Sequence, residues 1–110
     1  MEMLRQGDIL LVRVGKPEKA KVGRVIVGHG EVTGHTHVLA AAKTMTGDDL
    51  AWQLFAESGE WNSDGRPLVN VPIDTELVHD EHDALLIPAG VYEVRRQREY
   101  EPEAPRYVID

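Results

Sequence analysis

The apolar residues of this chain come in short runs rich in Ile, Leu and Val, each closed by a turn signal. That punctuation limits the fold more than any other feature. DILLVRV (Asp8 to Val14) follows the turn residue Gly7, RVIV (Arg24 to Val27) runs into Gly28, Gly30 and Gly34, and an extended pattern resumes from His35 to Leu39. Runs of this length and composition suit strands, and the glycine-rich breaks suit the turns between them. Farther along, Val69 and Val71 alternate before Pro72, and Thr75 to His79 and Ala84 to Ile87 flank an acidic corner. Val91 leads a strand toward Tyr100 out of the turn Pro88-Ala89-Gly90, and Tyr107 to Ile109 is expected to add an edge strand.

One segment fits two periods. In LAWQLFAE (Leu50 to Glu57), alternation of Leu50, Trp52 and Leu54 suits a strand, whereas Leu50, Leu54 and Phe55 suit a short helix. The strand is the reading preferred here, and Ala40 to Ala42, which run into Thr44, Thr46 and Gly47, read as a loop. With no amphipathic helix of ten residues expected, the chain reads as all-β: one small antiparallel β-barrel or sandwich over residues 1–110.

Composition narrows the partners. A chain of 110 residues holds one domain, and 19 acidic against 12 basic residues give a net charge of -7. Phosphate-rich partners call for clustered Lys and Arg, so no nucleic acid is expected. Arg95, Arg96 and Arg98 are interleaved with Glu93, Glu99, Glu101 and Glu103, the pattern of a solvated mixed-charge strand end. The chain has no cysteine, hence no disulfide and no thiolate ligand, which suits a cytoplasmic protein. The start MEMLRQGDILLVRVG lacks a signal-peptide pattern and no apolar stretch reaches 18 residues, so neither secretion nor a membrane is expected.

Chemistry is concentrated in the histidines. All five lie in two groups, His29, His35 and His37 in VGHGEVTGHTHVL and His79 and His82 in ELVHDEHDA. On a strand, His35 and His37 project from one face about 6–7 Å apart, close enough to share an ion. Imidazole nitrogens bind zinc-like ions directly but need further donors, which the HDEH corner can bring. If that corner is extended, Glu81 shares a face with His79; if it turns at Asp80, His82 joins His79 instead. The expected ligands are therefore His35, His37 and His79, completed by His82 or Glu81. His29, set among glycines, reads as an outer or solvent-facing residue. Glu31 is the expected general base beside a metal-bound water. The bland reading, histidines on the strand surface, stands beside this one.

Across GEVTGHTH (Gly30 to His37), HDEH (His79 to His82) and LIPAGVYEVRRQREY (Leu86 to Tyr100), the chain resembles a family of small bacterial and phage proteins without an assigned activity. It is also weakly similar to the cupins, with His35 and His37 at the HxH and Pro88-Ala89-Gly90 at the PxG. It departs from them where Ala41 and Ala42 stand at the expected Glu and Glu93 at the expected His. The opening QGDILLVRV resembles the first strand of self-cleaving repressor domains, without their Ser-Lys pair.

The expected function is binding of one divalent transition metal, zinc foremost and iron, manganese or nickel open, with scope for hydrolytic or oxygen chemistry. A small-molecule substrate, a protein partner and a homo-oligomer all stay open. The alternative is a metal-free interaction module with surface histidines, contacting a protein through Trp61 and the REYEPE segment.

Overall fold

A computed structural model describes residues 2–30 and 34–97. Its strands are β1 (Met3–Gln6), β2 (Ile9–Gly15), β3 (Gly23–His29), β4 (Thr36–Thr44), β5 (Leu68–Val71), β6 (Thr75–Val78), β7 (Leu85–Ile87) and β8 (Gly90–Arg96). A helix, α1 (Asp49–Ser58), lies between β4 and β5. The strands pair antiparallel in the order β1-β2-β8-β5-β4-β6-β7, with β3 also on β4. They curl into a nearly closed barrel, the all-β architecture expected.

β4 carries the chain around the barrel. Lys43 and Thr44 pair with Asn70 and Val69 of β5, while Val38 and Leu39 pair with Val78 and Leu77 of β6. Ala40 to Ala42 are therefore strand and not loop. Partners on more than one side make an extended backbone the best use of their amide groups. Inside, Ile9, Leu11, Val27, Leu39, Val69, Val71, Leu77 and Ile87 are fully buried. Tyr92 joins them because its hydroxyl donates to Pro88 O at 2.7 Å, and burial pushes its pKa up to about 12.

The strand expected over Leu50 to Glu57 is α1 instead. Asp48 caps its first turn by accepting from Ala51 N–H at 2.8 Å, and Gly59 closes it at φ 81 with its N–H on Phe55 O. The caps settle what eight ambiguous residues leave open. Ala51, Trp52, Phe55 and Ala56 face inward, and the Trp61 ring meets Trp52 edge-on at 5.1 Å and Phe55 at 5.8 Å. Trp61 is thus part of the core wall and not the exposed contact residue expected.

Two side chains do work that the ladders do not. Gln6, at the end of β1, donates to Leu77 O and Asp83 O at 2.9 Å each, bridging from β1 to the β6–β7 side of the barrel. Arg96, whose side chain is 4% exposed, pairs with Asp8 at 3.1 Å and donates to Ala56 O at 2.8 Å and His29 O at 3.1 Å. It ties β8, the β1–β2 turn, β3 and the carbonyl end of α1 together, a favourable place for a cation. Among the described residues of this stretch, the solvated mixed-charge end expected holds for Arg95, half exposed and paired with Glu93, and not for Arg96. Burial alone would raise the Glu93 pKa, but Arg95 and Arg66 outweigh it and hold the carboxyl below its usual range.

No helix among the described residues is long and apolar enough to cross a membrane. The strand expected at Tyr107 to Ile109 and the REYEPE segment lie outside the described residues.

Candidate functional site

Strand register brings the two histidine groups together. β4 and β6 pair as Leu39↔Leu77 and Val38↔Val78. The next antiparallel opposition along the same line is His37 against His79, and their ring centroids are 4.2 Å apart. His37 is 2% exposed and His79 8%, so the surface-histidine alternative does not describe this pair. His35 immediately precedes β4, and its ring lies edge-on to His79 at 5.8 Å.

The HDEH corner turns. His79 Nδ1 accepts from the backbone N–H of Glu81 at 3.0 Å and of His82 at 3.4 Å. This swings the His82 ring to 4.7 Å from His79 and 5.8 Å from His37. The Glu81 carboxylate goes the other way, to 2.8 Å from His35 Nδ1, near enough for an ion pair yet not aligned as a hydrogen bond. Of the two alternatives at this corner the turned one is realised: His82 joins His79, while Glu81, instead of sharing a face with His79, reaches His35.

Two glycines make room for the rings. A Cβ on Gly30 would stand 2.8 Å from His79 Nε2, and one on Gly7, which also has φ +59, would stand 2.9 Å from His82 Nε2. Only a residue without a side chain lets the backbone approach so closely.

Hydrogen bonding sets the proton on each buried ring. The Gln6 amide nitrogen is committed to two carbonyls, so its Oε1 faces His37 Nδ1 at 2.9 Å as an acceptor. His37 must donate there, which leaves its lone pair on Nε2, 3.6 Å from Asp8 Oδ1. Burial, then the neighbouring His79, lowers the His37 pKa from 6.5 to about 4, so the ring is neutral at pH 7. His79 has the opposite tautomer: its Nδ1 accepts, so Nε2 carries the proton, buried and without a hydrogen-bond partner. Its pKa is lowered as well, by burial first and then by His82 and His35.

Among the described residues, no three of these donors already converge as a formed metal shell would. The His79 lone pair, committed to the corner's amides, gives a physical reason. Glu31, the expected base, lies outside the described residues. The His29 carbonyl holds Arg96 and the residue lines a different pocket, beside α1.

Gln6, Asp8 and Arg96 complete the surroundings, and no pattern in the sequence points to that role. Each acts across dozens of residues, with no local motif to mark it.

A family model described as a domain of unknown function (DUF8820) matches residues 5–97. The chain belongs to the DUF8820 family. That match takes in every histidine discussed above together with Gln6, Asp8 and Arg96, so the whole site lies within the DUF8820 domain. No curated protein and no solved structure matches the chain.

Proposed function

We propose that the protein binds one divalent transition metal, zinc foremost, among His35, His37, His79 and His82, with Glu81 orienting His35. The observation that carries this reading is the placing of the His35, His37 and His82 rings 4.2–5.8 Å from the ring of His79, whose buried Nε2 has no hydrogen-bond partner. Imidazoles sharing an ion at about 2.0–2.1 Å hold their ring centres roughly 5 Å apart. A buried polar group left unpaired costs on the order of 1–3 kcal/mol, and ligation through Nε2, with the ring proton moved to Nδ1, would remove that cost. His37 is the best prepared donor: neutral, with Nε2 free and Nδ1–H fixed by Gln6, the outer support that ligating histidines commonly have. Glu81 stands 2.8 Å from His35 Nδ1 and could take up that role once the two groups align.

Ligation by His79 would release its contacts with the Glu81 and His82 amides, a side-chain rearrangement that leaves the strands in place. Three imidazoles leave a position for water and hydrolytic or oxygen chemistry, with Glu31 as the base; a fourth closes the shell. The cupin resemblance adds nothing to this ligand set. The Pro88-Ala89-Gly90 turn is engaged with Asp74 and Tyr92 and supplies no histidine.

The test is calorimetric titration of zinc into tag-free protein stripped with a chelator. One ion per chain should bind, and His35→Ala/His37→Ala should weaken binding at least tenfold. Absence of stoichiometric binding, or unchanged affinity in the variant, would refute the proposal.

A further inference from the structure

A cavity of about 560 Å³ opens between α1 and strands β3 and β4, and His29 is the only one of the five histidines in its lining. Its apolar floor is formed by Val25, Ala42, Trp52 and Ala56. Lys21, Arg24 and Lys43 stand around it, against one carboxylate, Asp49. In a chain of net charge -7, that local excess of cations runs against the composition. None of the three has a carboxylate partner among the described residues.

The walls are held in place from behind. Arg96 binds His29 O on the β3 wall and Ala56 O on the α1 wall, so one buried guanidinium spaces the two. Asn70, 2% exposed, clamps the loop that carries Lys21: it accepts from Glu18 N–H at 3.0 Å and donates to Glu18 O at 2.7 Å. Lys43 lies directly opposite Asn70 in the sheet. A pocket of this volume, apolar inside with a few charged groups at the rim, has the make-up of a small-ligand site.

From this we infer that the cavity binds a small organic anion, its apolar body on the floor between Val25 and Trp52 and its carboxylate or phosphate head among Lys21, Arg24 and Lys43. Recognition is by charge at the rim and by area within, so the head decides selectivity and the body contributes most of the contact.

The experiment uses the full chain stripped of metal with a chelator and then dialysed free of it, so that no ion at the imidazole site contributes and no chelator carboxylate competes. 4-Phenylbutyrate and its neutral amide are titrated separately by calorimetry, with tryptophan fluorescence as a second readout because Trp52 lines the floor. The acid should bind at one site with a Kd of roughly 1 mM or tighter, the level a dozen heavy atoms reach. The amide should bind at least tenfold more weakly, as should the acid to Arg24→Glu/Lys43→Glu. Both positions are exposed, so the variant's unfolding midpoint should match that of the wild type. Equal binding of acid and amide, an unchanged Kd in the variant, or no saturable binding would each overturn the inference.

Discussion

Gln6 and His37 fix one another's orientation. The His37 Nδ1 proton lies on Gln6 Oε1 at 2.9 Å while the Gln6 amide donates to Leu77 O and Asp83 O, so one side chain joins β1 to the opposite side of the barrel and selects the tautomer of a buried imidazole.

Gln6→Leu removes all three bonds and leaves a buried N–H and two carbonyls with fewer partners. It should destabilise the protein by about 2–4 kcal/mol, at roughly 1 kcal/mol for each group affected. Gln6→Glu keeps the acceptor for His37 but loses both donors, and should not restore wild-type stability. Urea unfolding measures both, and a loss under about 0.5 kcal/mol in Gln6→Leu, the level of an ordinary surface change, would show that the bridge is not needed.

Adjacent arginines should behave very differently. Arg96→Ala strands Asp8 and three main-chain carbonyls in a nearly closed environment and should cost about 3–5 kcal/mol. Arg95→Ala removes an exposed partner of Glu93, which Arg66 still contacts, and should cost under about 1 kcal/mol. Similar losses in the two variants would contradict the burial assigned to Arg96.

Acid should destabilise the metal-free protein through its buried rings. His37 titrates near 4 when folded and near 6.5 when unfolded, because burial and then His79 disfavour its charged form. As pH falls from 6.5 toward 4, the unfolded chain takes up a proton that the folded protein refuses, so stability drops across that window and levels off below it. His79 shifts in the same direction. For His37 the full drop is on the order of 3 kcal/mol. Comparing unfolding free energies at about pH 7 and about pH 4.5 in chelator, the acid loss should be clearly smaller in His37→Gln than in wild type. Equal losses would place the relevant proton elsewhere.

The strands were legible because their Ile, Leu and Val runs end at glycine and proline. Helix α1 was not, because its eight central residues satisfy both periods. The deciding signals, Asp48 before it and Gly59 after it, lie outside that window. The pairing of His37 with His79 needed the β4–β6 register, which no local pattern states. Arg96 was misread because its sequence neighbours are charged, whereas its contacts come from β3, α1 and the β1–β2 turn.

The most direct test of the proposed metal site is the zinc-dependent rise in melting temperature of wild type, His35→Ala, His79→Ala and the double variant. An ion bound only by the native state at a hundredfold excess over Kd adds about 2.7 kcal/mol, or roughly 10 °C for a domain of this size. Each single substitution should abolish most of that rise and the double variant should lose little more, because both remove the same ion. Independent, additive losses, or a rise that survives both substitutions, would contradict a shared site.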